Sequence, residues 1–359
     1  MRKSLQLLLI GVLFITSCSK KNESDSPLIV PVTTLASGTV TTFAGSGAQG
    51  SVNAVGNAAS FSAPNSVALS SNGFVLVADV DNDMIRAISP LGVVNTLAGS
   101  GTASLINATG TAAGFNAPNG VAVDASGNVY VADLGNNEIR EITTAGVVTT
   151  FAGTGTAGFA NGAATAATFR APIALAIDAT GNLYVADEGN DAIRVITPGG
   201  VVSTLAGSGS PGFANGTGSA ASFNSPNSVA VDAVGNVYVA DLANGLIRKI
   251  APGGVVTTFA GSGTRGSANG TGTSASFSSP SGLAVDASNN VYVGDSNNNL
   301  IRMITPAGVV TTFAGSGATG STNGVGTAAS FNFPTGLAIL NGYMYVADNG
   351  NNLIRKISL

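Results

Sequence analysis

The chain consists largely of short apolar runs separated by glycine, asparagine and proline. In residues 37–359 the runs come in groups of four, and one group occupies residues 228–232, 237–241, 246–250 and 255–259. These runs are rich in β-branched and aromatic residues, and Gly235-Asn236 and Pro252-Gly253 stand between them. Runs that are too short for helices and are bounded by turn residues predict β-strands. We therefore predict four consecutive antiparallel strands, named a to d, joined by tight turns.

The group of four strands recurs at a spacing of 54 residues. Three positions mark each repeat: the alanine of an Ala-Gly-Ser/Thr-Gly sequence, a phenylalanine and a proline. The alanines are Ala44, Ala98, Ala152, Ala206, Ala260 and Ala314. The phenylalanines are Phe61, Phe115, Phe169, Phe223, Phe277 and Phe331, and the prolines are Pro64, Pro118, Pro172, Pro226, Pro280 and Pro334. Four antiparallel strands in each of six repeats predict an all-β fold, a six-bladed β-propeller over residues 37–359.

The two ends of this region are incomplete repeats that complement each other. Residues 38–43 have the sequence of a strand d, and the chain ends after a strand c at residues 354–357. Together they make one complete blade. We predict that the N-terminal strand d joins the C-terminal strands a to c, which closes the ring and removes open sheet edges. In the last repeat the a–b turn around Asn341-Gly342 is one residue shorter than in the others.

The first residues have the pattern of a secretory signal. Arg2 and Lys3 precede an apolar run that is too short to span a membrane. The run ends in the sequence Ile-Thr-Ser-Cys at residues 15–18, which resembles the lipobox of bacterial lipoproteins. In that family the cysteine becomes the lipidated first residue of the mature protein. The resemblance implies a signal peptide over residues 1–17 and a lipid on Cys18, followed by a flexible tether over residues 18–36.

The resemblance also implies a cellular location. Ser19 follows the cysteine, which is similar to lipoproteins of the outer membrane rather than to those kept at the inner membrane. We therefore expect a protein of the bacterial cell envelope that is anchored in the outer membrane by its lipid alone. The alternative is an ordinary signal peptide followed by a free thiol.

The pattern within each repeat resembles the NHL-repeat family. In the second repeat it is carried by residues 121–124, 128–133 and 136–142, which read Val-Ala-Val-Asp, Asn-Val-Tyr-Val-Ala-Asp and Asn-Asn-Glu-Ile-Arg-Glu-Ile. The resemblance covers residues 37–359 and implies a propeller that acts as an interaction module. A looser resemblance extends to other six-bladed propellers, which include gluconolactonase-like enzymes. A minority of NHL propellers, such as the peptide-amidating lyases, are enzymes whose catalytic site uses histidines.

Composition excludes several functional classes. The chain has no histidine, and its one cysteine leaves no intrachain disulfide and no cysteine cluster for a metal. A histidine-based catalytic triad and a His-ligated zinc site are therefore excluded. The formal net charge of −4 gives no basic surface for nucleic acid. Because no catalytic set of residues stands out, we do not expect an enzyme, and we expect no cofactor unless calcium binds as described below.

Most charged residues belong to the repeat. Six aspartates end the predicted b strands, four more end a strands, and an arginine follows each b-strand aspartate by seven positions. The pairs are Asp79–Arg86, Asp133–Arg140, Asp187–Arg194, Asp241–Arg248, Asp295–Arg302 and Asp348–Arg355. We interpret each pair as an ion pair across the b–c turn, or each carboxylate as a cap for turn amides. A ring of charges that engages a repetitive ligand is the alternative.

Residues that depart from the repeat are the better candidates for function. Strands alternate in direction, so the b–c turns and the long d-to-a connections share one face of the propeller. On this face the third blade carries Arg170, Asp187, Glu188 and Asp191, which we propose as a polar contact surface or a carboxylate cation site. Ordinary solvated loop charges are the simpler interpretation.

Two aromatic residues join these candidates. Phe159 and Phe213 occupy the same loop position in adjacent blades and are candidates for gripping a protein or a sugar, unless they fold back onto the blade. The phenylalanine that precedes the proline of each repeat by three residues, such as Phe223, is instead expected to fill the space between blades.

One segment begins like a calcium-binding loop. Asp79, Asp81 and Asp83 have the spacing of the first calcium ligands. The later positions fail, because Met84 stands where glycine is required and Pro90 where a bidentate glutamate is required. Calcium at these aspartates is therefore a weak candidate.

The sequence favours a monomeric, non-catalytic binding or scaffolding propeller that presents its loop-rich face to a protein or glycan. One alternative is a metal-dependent hydrolase or lyase similar to gluconolactonases, with a metal held by carboxylates, amides and water near the central channel. The other is a purely structural envelope protein.

Overall fold

A computed structural model describes residues 35–359 of the chain. The predicted signal peptide, Cys18 and all but the last two residues of the predicted tether lie outside the described residues. Within the described range, no helix has the length and apolar character needed to cross a membrane.

The described chain forms six antiparallel sheets, which are the predicted blades. The innermost strands, a, are Pro64–Leu69, Pro118–Val123, Pro172–Ile177, Pro226–Val231, Pro280–Val285 and Pro334–Leu340. The b strands are Val75–Asp79, Val129–Asp133, Leu183–Asp187, Val237–Asp241, Val291–Asp295 and Tyr343–Asp348. The c strands are Met84–Ile88, Glu138–Ile142, Ala192–Ile196, Leu246–Ala251, Leu300–Ile304 and Leu353–Ser358. The d strands of blades 1 to 6 are Val94–Ala98, Val148–Ala152, Val201–Ala206, Val255–Ala260, Val309–Ala314 and Thr39–Ala44.

The blades form a closed ring. Each a strand packs against the a strand of the next blade, and that of blade 6 packs against that of blade 1. Strand d of blade 6 comes from the N-terminal end and pairs antiparallel with the C-terminal strand, with Val40 opposite Ile357 and Thr42 opposite Arg355. The Gly38 N–H also donates to the Ser358 carbonyl at 2.8 Å. The predicted six-bladed architecture and its closure by the two chain ends are therefore confirmed.

The long d-to-a connections add a short fifth strand to four of the blades. In blade 4, Gly216–Thr217 pairs with strand d, with Gly216 opposite Val256. The others are Gly162–Ala163, Gly270–Thr271 and Gly324–Val325. Each connection therefore crosses to the outer edge of the next blade before it returns to strand a at the centre. A two-residue strand has no periodicity that could predict it, yet it covers part of the edge that strand d would otherwise expose.

Short 3-10 turns complete the connections. They follow strand b at Val80–Asn82, Leu134–Asn136, Glu188–Asn190, Leu242–Asn244, Ser296–Asn298 and Asn349–Asn351. Others lie within the long connections at Gly56–Ala58, Gly110–Ala112, Gly218–Ala220, Gly272–Ser274 and Gly326–Ala328.

The a–b turn of blade 6 is a two-residue hairpin. Asn341 and Gly342 both have positive φ, 51° and 76°, which is the conformation that Asn-Gly adopts most readily in such turns. Strands a and b of blade 6 therefore run up to this turn, at Leu340 and Tyr343. The tight turn explains why the last repeat is one residue shorter than the others.

The hydrophobic core lies between blades. One cluster joins Tyr238 of blade 4 to Phe277, Leu283 and Val293 of blade 5. Phe223 and the five phenylalanines that share its position are fully buried, as predicted. Burial of such a side chain contributes about 1.5–3 kcal/mol, so the six phenylalanines hold each blade against its neighbour.

Candidate functional site

A buried arginine and aspartate join the long connection to each blade. In blade 4 the Arg248 guanidinium lies 2.9 Å from an Asp241 carboxylate oxygen. It also donates to the carbonyls of Ser222 and Ala214 at 3.1 and 3.0 Å and to the Asn215 side-chain oxygen at 2.8 Å. The arginine thereby binds three points of the connection that crosses above it. We call the aspartate, the arginine and these contacts the clamp.

Both carboxylate oxygens of the clamp aspartate accept hydrogen bonds. One Asp241 carboxylate oxygen accepts the backbone N–H of Asn224 at 2.8 Å, and the other accepts the Asn244 side-chain amide at 2.9 Å. Burial raises the pKa of Asp241, and the hydrogen bonds from Asn244, Asn224 and Arg248 oppose that rise. The guanidinium lies 5.4 Å from the ring centroid of Phe223, which adds a cation–π contact.

The clamp recurs in all six blades. The Arg–Asp distances range from 2.6 to 2.9 Å, and both side chains are fully buried in every pair. The predicted ion pair and the predicted cap are both present. A ring of exposed charges for a repetitive ligand is excluded, because none of these twelve side chains reaches solvent.

Sequence reasoning assigned no contact to the asparagines of the clamp, although they recur 54 residues apart, or 53 between Asn298 and Asn351. Those on the connections are Asn53, Asn107, Asn161, Asn215, Asn269 and Asn323. Those beside the aspartates are Asn82, Asn136, Asn190, Asn244, Asn298 and Asn351.

The aspartates that end a strands also have structural roles. Asp178 accepts the backbone N–H groups of Thr180 and Asn182 at 2.9 Å and the Tyr184 hydroxyl at 3.1 Å. Burial alone would raise the pKa of Asp178, but hydrogen bonds from Asn182, Thr180 and Tyr184 outweigh it and hold the pKa at about 2. The repeated acids therefore close turns.

Asp187, one of the predicted surface residues of blade 3, belongs to the clamp. Its carboxylate lies 2.7 Å from Arg194 and is fully buried. This corrects the expectation that Asp187 is exposed on the binding face, because the end of strand b is covered by the connection that Arg194 holds.

The other polar candidates of blade 3 surround the turn at residues 188–191. Arg170 is exposed and passes over Gly189, where an added Cβ would lie 2.5 Å from the Arg170 Cγ. Glu188 is half-buried, and burial and the nearby Asp191 carboxylate raise its pKa. The structure thus brings Arg170, Glu188 and Asp191 together on the face of the b–c turns and long connections, which we call the connection face.

Asp191 combines this position with a structural role. It has a φ of 49°, in the left-handed region that asparagine, aspartate and glycine tolerate best. Its carboxylate accepts the backbone N–H of Ser225 from the next connection at 2.8 Å. Asn137 makes the same bond to Ala171 in the preceding blade, so the fold needs an acceptor here but does not need a charge.

The three aspartates considered for calcium have separate partners. Asp79 pairs with Arg86 at 2.6 Å, Asp81 accepts the Ser62 hydroxyl at 3.4 Å, and Asp83 accepts the Ala117 N–H at 2.8 Å. Across residues 35–359, no three acidic or cysteine side chains lie close enough together to hold a metal ion.

The central channel is narrow. The side chains of Asn65 and Asn119, on the a strands of neighbouring blades, hydrogen-bond to each other, and the cavity between the a strands is about 30 Å³. Its lining consists of Asn, Ser, Thr, Gly, Ile and Ala residues, with no ionisable side chain. The a strands approach so closely that a Cβ added to Gly336 would lie 2.6 Å from the Ser66 Cα.

Phe159 and Phe213 differ although they occupy the same position. Phe159 lies on its blade, 4.8 Å from the Arg194 guanidinium, and is 38% exposed. A Cβ added to Gly209 would lie 3.0 Å from the Phe159 ring, whereas at the equivalent Gly263 no Phe213 atom lies within 4 Å. Phe213 is 72% exposed. Phe159 folds back onto the blade, and Phe213 does not.

The two blades also differ at the start of strand c, close to the rings. Blade 3 has Ala192 there, and Phe159 lies above Arg194. Blade 4 has Leu246 at that position, and its Cδ2 lies 3.2 Å from where a Cβ on Gly261 would stand. Beside the displaced Phe213 is an open cavity of about 470 Å³.

Comparisons with known proteins agree with the fold. A family model for the NHL repeat matches residues 115–142 and 277–302. A search of curated proteins found no match.

Solved structures resemble the chain over most of its length. A Bacteroides thetaiotaomicron protein of unknown function is 22% identical, with a TM-score of 0.70 over 89% of this chain and 75% of that one. An auxiliary nutrient binding protein from Bacteroides ovatus is 17% identical, with a TM-score of 0.67 over 89% of this chain and 76% of that one. A gluconolactonase from Xanthomonas campestris is 14% identical, with a TM-score of 0.58 over 84% of this chain and 87% of that one. At these identities the likeness concerns the fold alone. Together with the closed ring of blades, it shows that the chain is a six-bladed β-propeller, and the family model shows that the propeller contains NHL repeats.

Proposed function

We propose that this propeller is a non-catalytic binding module of the bacterial cell envelope, anchored through a lipid on Cys18. It presents its connection face to a protein or glycan. The observation that supports this most is the division of polar side chains. Repeated charges are buried in clamps or close turns, whereas Arg170 and Glu188 lie on the connection face in only one blade.

Glu188 is the clearest sign that this face is used. Its equivalents are Val80, Leu134, Leu242, Ser296 and Asn349, so the fold accepts uncharged residues there. A half-buried carboxylate with a raised pKa destabilises the ionised protein. Because folding does not require this charge, a role in recognition accounts for it better than a role in the fold.

Phe213 belongs to the same proposed surface, because it is exposed on a neighbouring connection. Phe159 is left out, because it is held on Arg194. The Bacteroides ovatus structure is named an auxiliary nutrient binding protein. Its fold is shared with this chain, and its name is consistent with a binding role.

A gluconolactonase-like activity has less support. Such an activity needs metal ligands near the channel, and in the described residues the channel lining holds no carboxylate. A purely structural role leaves Glu188 and the exposed Phe213 without a reason. We keep both alternatives as outcomes of the test below.

The test uses the full chain purified in detergent, applied to a glycan array and to a solubilised envelope fraction, with captured proteins identified by mass spectrometry. We expect one defined glycan or protein to bind the wild type. We expect the double variant Arg170→Ala/Glu188→Ala to weaken that binding at least about tenfold. The control is Leu91→Ser/Val234→Ser, which changes two exposed apolar residues, 86% and 71% exposed, on the turns of the opposite face.

Two results would contradict the proposal. The first is equal binding by the wild type and the Arg170→Ala/Glu188→Ala variant, together with weaker binding by the Leu91→Ser/Val234→Ser variant. This result would place the binding site on the opposite face. Absence of any ligand, together with turnover of a lactone in the presence of Ca²⁺ or Mg²⁺, would favour the enzyme.

The lipid anchor has its own test. Cells fed with a radiolabelled fatty acid should label the wild type and not Cys18→Ala, and the variant should leave the membrane fraction. Label on both proteins, or on neither, would contradict the lipid on Cys18.

A further inference from the structure

Blades 4 and 5 each have an open cavity at the same place on the connection face, and the cavity of blade 4 includes the aromatic ring of Phe213 in its lining where blade 5 has Ser267. Its volume of about 470 Å³ falls in the range of roughly 300–1,000 Å³ typical of small-molecule sites. The apolar part of its lining includes Phe213 and Leu246. Its polar part includes Asn244, Thr258 and Thr264.

The lining restricts the chemistry of the ligand. None of the lining residues is ionisable, so the cavity offers no partner for a charged group. The threonine hydroxyls can donate and accept hydrogen bonds. The Asn244 side-chain nitrogen already donates to the Gly212 carbonyl and to Asp241, so this residue offers its oxygen as an acceptor. These groups share the cavity lining with an aromatic ring that is 72% exposed. A ligand that matches has several hydroxyl groups around its edge and an apolar C–H face.

Folding does not explain the exposed ring. The equivalent position is Ser51, Ser267 or Ser321 in three other blades, so the connection forms without an apolar residue there. Phe213 also makes no cation–π contact with Arg248 among the contacts of the described residues, unlike Phe159 with Arg194. At Gly263, which is equivalent to the Gly209 that contacts the Phe159 ring, no Phe213 atom lies within 4 Å.

We propose that the cavity binds one pyranose unit of a neutral glycan, with the sugar stacked on the Phe213 ring. The weakly positive C–H hydrogens of the sugar face the negative face of the ring. The hydroxyls of the sugar bond to Asn244, Thr258 and Thr264. This inference rests on the proposed binding function and names the substrate class for one part of the connection face.

The experiment is isothermal titration of the full chain with linear neutral oligosaccharides of glucose, mannose, galactose and xylose. We expect at least one of them to bind. Phe213→Ala should weaken that binding at least about tenfold, because it removes the stacking platform. Phe213→Trp should preserve or strengthen it, whereas Phe213→Leu should resemble the alanine variant, since a leucine is apolar but has no π face.

The control variant is Leu91→Ala. It removes an exposed apolar side chain from the opposite face, where a nonspecific hydrophobic contribution would be equally affected. Melting curves of all variants should superimpose on that of the wild type, because neither Phe213 nor Leu91 is buried.

Three outcomes would overturn the inference. One is equal affinity of wild type and Phe213→Ala. Another is tighter binding of uronic acid oligosaccharides that depends on Arg265, the exposed cation next to Thr264. The third is no heat from any neutral oligosaccharide at about 10 mM, which excludes even weak binding. If the third occurs while an envelope protein still binds through Arg170 and Glu188, the inference fails and the proposed function stands. If that protein also fails to bind, both fail.

Discussion

Blades 3 and 4 have the same clamp and different surfaces. Beneath each long connection, an arginine and an aspartate lie 2.7 or 2.9 Å apart and hold the connection through the same set of acceptors. Above the clamp, Phe159 lies on the arginine in blade 3, which has Ala192 at the start of strand c, while Phe213 is in solvent in blade 4, which has Leu246 there. We attribute the difference in ring position to the size of this residue, which the exchange described below tests. The repeat supplies the scaffold, and departures from the repeat supply the surface.

The largest expected effect is the loss of unfolding free energy when the clamp, which both blades share, is broken. Asp187→Ala and Asp241→Ala each leave a fully buried arginine without its carboxylate. We expect each variant to lose about 3–5 kcal/mol of unfolding free energy in chemical denaturation. Because the clamps are equivalent, the two losses should agree.

The control for the clamp is Asp81→Ala, which removes an exposed carboxylate and should change stability by less than about 0.5 kcal/mol. If Asp187→Ala and Asp241→Ala also lose less than about 0.5 kcal/mol, the buried pairs do not hold the connections.

A smaller effect separates the two aromatic residues. Phe159→Ala removes a partly buried ring and its contact with Arg194, so we expect a loss of about 1–2 kcal/mol. Phe213→Ala should cost less than about 0.5 kcal/mol, because its ring is mostly in solvent. Equal losses, measured by urea denaturation, would contradict the difference between the two blades.

Exchange of the residues beneath the rings should exchange the surfaces. Leu246→Ala gives blade 4 the small residue of blade 3, and we expect the Phe213 ring to settle above Arg248. Ala192→Leu should displace Phe159 into solvent and open a cavity in blade 3, with a stability cost of about 1–3 kcal/mol from overpacking. Crystal structures of the two variants would show the ring positions. Unmoved rings would mean that the loops, rather than residues 192 and 246, determine them.

The smallest expected effect concerns Glu188. Burial and Asp191 raise its pKa in the folded chain above that in the unfolded chain. The folded state therefore binds the proton more tightly, and this site destabilises the protein as the pH rises through the raised pKa. Glu188→Gln should increase the melting temperature slightly at pH 7. The gain should vanish at low pH, where glutamate is protonated in both states.

Asp191→Asn is the companion variant for Glu188. It keeps an acceptor for the Ser225 N–H, as Asn137 does for Ala171, and removes the neighbouring charge. An NMR titration should then show a lower pKa for Glu188. An unchanged pKa and an unchanged melting temperature would remove the reason to regard Glu188 as a functional residue.

The sequence predicted the fold well because the repeat is encoded locally. Turn residues and β-branched runs recur at a fixed spacing, so the strand order, the closing blade and the short Asn341-Gly342 turn all follow from periodicity. The two-residue outer strands could not be predicted from periodicity, because their pairing depends on where the connection passes and not on their own composition. The asparagines of the clamp recur with the repeat as well, but their contacts with the arginine and the aspartate form only where the folded connection passes over the blade.

The candidate site was predicted less completely, because exposure depends on packing between repeats. Asp187 ends strand b beside a turn on the connection face, and its burial by Arg194 and the overlying connection becomes visible only in the fold. Phe159 and Phe213 occupy the same repeat position, and the residues that differ near them in the fold include Ala192 in blade 3 and Leu246 in blade 4. Those residues lie more than thirty positions later in the chain, and their proximity to the rings appears only in the folded protein.

The most direct test of the account is hydrogen–deuterium exchange of the full chain with and without the ligand found by array or capture. We predict that the ligand protects the connection face, at residues 188–191 and in the segments around Phe213 and residues 261–273. Protection confined to the opposite face, at the turns containing Leu91 and Val234, or to the channel strands, would contradict the claim that departures from the repeat form the binding surface.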